Sequence, residues 1–294
     1  MKKAFILLVI LVIIALVAFF LFFKQVKPIA VLNIEQGEVQ IKTTNDWTQA
    51  QNGMEILKNT VIKTGSNSKA SIIFFTNNII RLDENTEISI NELISKTNLN
   101  KVSITQNIGQ TWTKIIKLSG VETDYKIQTP TAIASVRGTA FSLKVTRDES
   151  LLRASQGKVD LSSYKTQDNK KIILDTKEVK KSEKVTVDKG SIDQPITIEN
   201  IIDETDWEKE NKEKDAQFLK EARAKRMLQG SLIIRQIQKQ ENLTIEELVE
   251  LLEKYEKGEI ELKIFTEEEG KLQELTKKQV DELIEKTRQE EIEE

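Results

Sequence analysis

The chain has 294 residues, 31% of them charged and 5% aromatic, with 44 basic against 47 acidic side chains. It contains no Cys and no His, which excludes disulfides, thiolate nucleophiles, imidazole bases and the usual zinc ligands together. Charge is unevenly spread: 27 acidic against 17 basic residues follow Ile202, a local −10 that leaves +7 for the rest, so the chain reads as at least bipartite.

Ala4 to Phe23 reads AFILLVILVIIALVAFFLFF, with no charge, polar side chain, Gly or Pro. At about 1.5 Å per residue, roughly 20 apolar residues span a hydrocarbon core of about 30 Å. The spacing predicts a transmembrane anchor, marked along its length by Ala4, Phe5, Leu8, Leu11, Ile14, Leu16, Phe20 and Phe23. A cleaved signal peptide has a shorter apolar core and a small-residue cleavage site, whereas this segment ends in Phe19 to Phe23. Lys2 and Lys3 precede it and Lys24 and Lys27 follow it, so the expected orientation, N-terminus in the cytoplasm and the remainder outside, rests on a small charge difference.

From Ile29 to Ile202 the chain has short runs of Val, Ile, Thr and Phe separated by Asn, Gly, Ser and Asp, the pattern of strands and turns. Expected strands are 30–35, 38–42, 60–64, 69–76, 79–82, 87–90 and 101–106, then 124–128, 140–147, 151–155, 158–162, 171–175 and 184–188. Turn signals recur about every 8–12 residues, which suits a β-sandwich, a barrel or a stacked β-solenoid. Ala70, Ile72 and Phe74 alternate with Ile73 and Phe75, so this strand should be central and covered on both faces. Gly37-Glu38-Val39-Gln40-Ile41 returns as Gly157-Lys158-Val159-Asp160-Leu161, a hint of internal duplication.

Beyond Asp203 the periodicity becomes helical. Residues 206–229 carry Phe218, Leu219, Ala222, Met227 and Leu228 as a thin apolar stripe among charges. Thr244 and Glu247 form a capping box, with Leu243 and Leu248 as its hydrophobic staple, before a helix whose apolar face is Leu248, Leu251, Leu252 and Tyr255. Thr276 and Gln279 mark a further start. This tail either folds on itself or offers a surface to a partner, with Leu232, Ile233 and Ile237 as expected contacts.

The run Thr129-Pro130-Thr131-Ala132-Ile133-Ala134-Ser135-Val136-Arg137-Gly138-Thr139-Ala140-Phe141 resembles the signature of the FecR domain family. Gly37-Glu38-Val39, Ile62-Lys63-Thr64-Gly65, Ser68-Lys69-Ala70, Ile80-Arg81-Leu82 and Gln156-Gly157-Lys158-Val159 resemble its other elements in order, over about residues 31–187. Trp207 to Asp215 is similar to a W-x-x-x-N-x-x-x-D run that often follows such domains. The resemblance implies an extracytoplasmic β-domain for protein interaction or sensing. Its best-known members regulate a sigma factor through a cytoplasmic segment ahead of the membrane helix. Here Met1, Lys2 and Lys3 stand before the apolar run, so a tether is expected rather than anti-sigma activity.

The residues of the signature also have a physical reading. Pro130 holds Thr129 extended, Gly138 permits a close approach, and Ala132, Ala134 and Ser135 let two backbones come together. Arg137 offers five donors in a planar fork, read as a strand-corner tie in preference to an anion receptor. Thr129, Pro130, Ala132, Ala134, Val136, Arg137, Gly138, Thr139 and Phe141 are thus expected to be structural. Asp83-Glu84 and Asp148-Glu149 are carboxylate pairs suited to turns, and no phosphate-binding loop, G-x-S-x-G or metal-ligand cluster is present. Lys177, Lys180, Lys181 and Lys184 read as a solvated strand edge rather than a nucleic-acid surface.

The expectation is therefore a mainly β, non-enzymatic, single-pass envelope protein without cofactor, organised as an anchor (1–27), a FecR-like β-domain (28–202) and an acidic helical region (203–294). It would bind an envelope protein or polysaccharide. A transmembrane regulator of gene expression is the alternative, and an envelope hydrolase the third.

Overall fold

The computed structural model describes residues 29–257 except 97, 118–120, 137, 202 and 231–242, together with 259, 265–268 and 271–274. The expected anchor therefore lies outside the described residues. Among the described residues no helix is long and apolar enough to cross a membrane.

The strands are β1 (Ala30–Gln36), β2 (Val39–Lys42), β3 (Thr48–Gln49), β4 (Val61–Thr64), β5 (Lys69–Phe74), β6 (Asn78–Leu82), β7 (Glu87–Lys96) and β8 (Leu99–Lys114). They continue as β9 (Glu122–Gln128), β10 (Ala132–Val136), β11 (Ala140–Val145), β12 (Glu149–Gln156), β13 (Lys158–Gln167), β14 (Lys170–Lys180), β15 (Glu183–Asp188) and β16 (Ile198–Asn200). One sheet runs β1-β5-β6-β8-β11-β12-β15-β16, and a second runs β3-β2-β4-β7-β8-β9-β10-β13-β14. The long strand β8 belongs to both: its first half pairs with β7 and β9, and from Gly109 onward it pairs with β6 and β11.

The sheets close on one apolar interior, to which β1, β5, β6 and β11 contribute from one side and β2, β4, β9, β10 and β13 from the other. Phe74 of β5 and Tyr125 of β9 meet edge to face across it, with ring centroids 6.3 Å apart. Among the described pairs only β8–β9 is parallel. A solenoid stacks its coils in parallel, so the antiparallel ladders and facing sheets make this a β-sandwich.

The repeated Gly-x-Val motif marks two equivalent corners. Gly37 (φ +71°) and Gly157 (φ +66°) each turn a strand of the first sheet into a strand of the second, β1 into β2 and β12 into β13. A Cβ on Gly157 would lie 2.6 Å from the Gly138 carbonyl oxygen, and one on Gly37 2.3 Å from Ser68 Oγ, so a side chain is excluded by both angle and space. Val39 and Ile41, and Val159 and Leu161, then enter the core in the same alternation.

β5 is central, between β1 and β6, and buried on both faces as its sequence predicts. The expectation for Phe75 needs correction. Phe75 and Thr76 adopt positive φ (54° and 70°), which breaks the alternation, and Phe75 packs against the main core instead of sharing the face of Ile73. The signature contains a strand that composition did not single out: small residues Ala132 and Ala134 put β10 between β9 and β13. The loop of the β13–β14 hairpin is two residues, Asp168 and Asn169, both at positive φ, as a primed turn requires.

Two helices follow, α1 (Asp206–Gly230) and α2 (Ile245–Glu256). α2 starts at the expected capping box: Thr244 accepts from the Glu247 N–H and Glu247 accepts from the Thr244 N–H. It buries Leu248, Val249, Leu252 and Tyr255, with Leu251 only partly covered, and packs against α1, where Lys220 pairs with Glu253 at 2.7 Å. The tail is not wholly helical, since β17 (Phe265–Glu268) and β18 (Lys271–Glu274) form a hairpin. Leu232, Ile233, Ile237 and the helix start at Thr276 lie outside the described residues.

Candidate functional site

Strand register places Ser71, Arg81, Trp112, Ser142, Arg153 and Lys184 in one row across the first sheet, from β5 through β6, β8, β11 and β12 to β15. Their neighbours along each strand, such as Ile80, Thr113 and Phe141, sit on the alternate, inward face. The row faces outward, yet Arg81 and Trp112 are 5% and 0% exposed. α1 covers them.

The helix does so with residues four apart. Trp207, Asn211 and Asp215 share one face, followed by Phe218 and Ala222. Asp215 is the joint: Oδ1 accepts from Arg81 Nη1 at 2.5 Å and Oδ2 from Trp112 Nε1 at 2.9 Å. The Trp112 and Trp207 rings meet at 84° with centroids 6.4 Å apart, an edge-to-face pair. Asn211 donates to the Trp207 carbonyl at 2.8 Å.

Glu208 makes a second joint one turn from the helix start. Its Oε1 accepts from Ser142 Oγ at 2.7 Å and Arg153 Nε at 2.8 Å, and its Oε2 accepts from the Thr205 N–H at 3.0 Å. Thr205 Oγ1 accepts in return from the Glu208 N–H at 3.2 Å, so the capping box that starts the helix also fastens it to the sheet. Burial pushes the Glu208 carboxyl up, but the bonds from Thr205, Ser142 and Arg153 outweigh it and hold the group below its ordinary value. Arg153 donates further to the Asp203 carbonyl.

Apolar contact and outlying charges complete the seal. Phe218 packs with Ile79 and Ile116, and Leu219 and Ile73 flank them, which explains why both faces of β5 are apolar. Lys69 pairs with Glu210 at 3.1 Å, and Lys214 with Glu35 at 2.8 Å and Glu210 at 3.0 Å. At the head of the helix lies a cleft of about 300 Å³ lined by Arg153, Lys181, Ser182, Glu204, Glu208 and Lys212. Arg153 is already engaged by Glu208, and Lys212 pairs with Glu204. Both oxygens of Asp215 and both of Glu208 accept bonds from neighbours, so these carboxylates suit a mechanical fastening better than proton transfer.

The signature residues lie elsewhere, in the sandwich. Thr129 Oγ1 accepts from the Ala132 N–H (2.9 Å) and the Ser150 hydroxyl (2.7 Å), while Thr131 Oγ1 is placed to donate to Ser150 Oγ (2.7 Å) or the Val187 carbonyl (3.0 Å). Tyr164 donates to the Thr129 carbonyl at 2.7 Å. This buried hydroxyl network closes one end of the sandwich between β9, β12, β13 and β15. Pro130 is exposed at its turn, whereas Ala132, Ala134, Val136, Thr139 and Phe141 are buried, and Gly138 has φ +71°. Arg137 lies outside the described residues. Asp83-Glu84 sits at the β6–β7 corner, where Glu84 accepts from the Asn67 N–H, and Asp148-Glu149 at the start of β12, where Asp148 pairs with Lys189.

Residues 60–160 match the family described as FecR protein. This span is a FecR domain. It is narrower than the expected 31–187, and the FecR match ends before α1, so the latch joins the domain to a segment outside the matched span. No curated protein matches the chain. Two crystal structures of a candidate anti-sigma factor from Parabacteroides distasonis, at 1.65 and 2.50 Å resolution, align with 14% and 13% identity and TM-scores of 0.36 and 0.37. Each alignment covers 48% of this chain and 59% of the other, so the chain spans under two thirds of those proteins.

Arg81 and Asp215 were both legible only as members of motifs. The aliphatic element Ile80-Arg81-Leu82 draws attention to its Ile and Leu, and nothing local pairs its Arg with an Asp 134 residues later. The signal that could have found the latch is Thr205-x-x-Glu208 followed by Trp207, Asn211 and Asp215 at helical spacing.

Proposed function

We propose that this chain is a non-catalytic signalling module of the cell envelope: an apolar anchor at 4–23, a β-sandwich containing the FecR domain outside the cytoplasm, and a C-terminal region latched onto it. The observation that carries the reading is the double joint at Asp215 and Glu208. The best-built polar cluster among the described residues couples the FecR domain to the following helices rather than presenting a reactive group. Such a joint passes a change in the sandwich to the tail, or the reverse. The anchor rests on the 20-residue apolar run, and the organisation 1–27, 28–202 and 203–294 on the change of composition. The partner is an envelope protein or polysaccharide.

In-cell cross-linking tests this reading. The full chain should remain in the membrane fraction after alkaline carbonate extraction, and Asp215→Ala should alter which envelope components it captures. Release by carbonate, or activity of a reporter fused after Lys27 only in the cytoplasm, would overturn the tethered, outward-facing arrangement.

A second reading, a transmembrane regulator of gene expression, is favoured by the FecR domain itself. It predicts a transcriptional response when the chain is deleted, and that response should be lost in Asp215→Ala.

A further inference from the structure

At the opposite end of β15 from the helix-head cleft is a second cavity, of about 180 Å³, between β13 and the segment that leads from β15 to β16. It is well below the roughly 300–1,000 Å³ of drug-sized sites, on the scale of one small ring. Among its lining residues is Ser163, 1% exposed, whose hydroxyl is buried without a hydrogen-bond partner. Buried polar groups are nearly always bonded, so an unpaired hydroxyl lining a cavity is a position for a guest.

The remaining lining narrows the chemistry of that guest. Thr186, Ser191 and Thr197 add hydroxyls and Gln194 an amide, each able to donate and accept. Asp188 and Glu199 add acceptors. One oxygen of each is engaged, Asp188 Oδ1 by the Gly190 N–H at 2.7 Å and Glu199 Oε2 by Lys184 at 3.0 Å. No Lys or Arg lines it, which disfavours an anion. Ile192, Pro195 and Ile196 supply a smaller apolar part of the lining. A neutral ring with hydroxyls around its rim and C–H groups on its face matches these features together.

We propose that this cavity binds a single neutral sugar unit, with Ser163 bonding its buried hydroxyl and Gln194 holding the rim. The inference stands apart from the tethered-module reading, because it concerns only the cavity and holds wherever the chain resides.

The test is saturation-transfer NMR on the full chain with glucose, galactose and N-acetylglucosamine, each alone at millimolar concentration, with ammonium and calcium chloride as competitors. At least one sugar should receive saturation. Ser163→Ala should weaken its binding about tenfold while leaving the melting temperature equal or higher, because the lost hydroxyl has no partner in the fold. Gln194→Ala, at the rim, should weaken binding with the fold intact. The proposal is overturned if no sugar receives saturation, if neither variant changes the signal, or if ammonium or calcium displaces the sugar at equal concentration.

Discussion

On its inner face the first sheet presents Leu32, Ile72, Ile80, Phe141 and Leu143, all 0% exposed, to the second sheet. On its outer face Arg81, Trp112, Ser142 and Arg153 meet α1. Both faces exclude water, by different means. The inner contact is non-directional, scales with apolar area and tolerates exchanges that conserve volume. The outer contact is directional: a few hydrogen-bonded charges set where the helix lies, and each charge depends on its partner remaining in place. One sheet thus carries a core that stabilises and a joint that registers position.

The largest effects separate these two modes by how they are rescued. Asp215→Ala leaves the Arg81 guanidinium and the Trp112 N–H buried without an acceptor, and should cost about 3–5 kcal/mol in urea unfolding. Arg81→Met with Asp215→Leu should recover most of that, because the buried charges leave together. Phe141→Ala should cost about 3–5 kcal/mol by cavity formation, with no polar partner whose removal restores it. If the double variant is as unstable as Asp215→Ala, the outer contact is packing and the contrast fails.

Next in size is Glu208→Gln, which weakens bonds to Arg153 and Ser142 and should cost about 1–3 kcal/mol at neutral pH. Its pH dependence has a definite sign. The folded carboxyl lies below the ordinary 4.5, so on acidification the unfolded chain takes up its proton first. The stabilisation is complete above about pH 4.5 and is lost as pH falls through the lower folded value. A stability profile from pH 7 to pH 3 should therefore fall less steeply in Glu208→Gln.

On the inner side the matching experiment is alkaline. Burial holds the Tyr125 phenol well above its ordinary 10.0, and the nearby Thr113 hydroxyl offsets only part of this. Above about pH 10 the unfolded chain loses that proton while the folded one keeps it, so stability declines with rising pH. Tyr125→Phe should be near neutral at pH 7 and should flatten the decline. The smallest effect belongs to the outlying pairs: Lys69→Ala, whose partner Glu210 is partly exposed, should cost under about 1 kcal/mol and shrink further in salt.

Period-2 alternation made the strands legible, and every expected strand between residues 30 and 188 lies within or overlaps an observed one. It extended them too little where polar residues continue a ladder, as in β8 and β14, because pairing with neighbours sustains a strand whose own pattern has faded. β10 was hidden by its small residues, whose value is close packing rather than propensity. The capping box at Thr244 was visible because all its partners lie within four residues, whereas the equally local one at Thr205 was masked by the Trp207 motif around it.

The alternation that buries one face of each strand, the two glycine corners and the caps that start helices are encoded locally, since they depend on neighbours a few bonds away. The pairing of the strands into a sandwich, the burial of the outward Arg81 and the joint that Asp215 and Glu208 close over it arise from the folded arrangement. Those outcomes depend on residues 134 and 55 positions apart meeting in space, and no local periodicity encodes such a meeting.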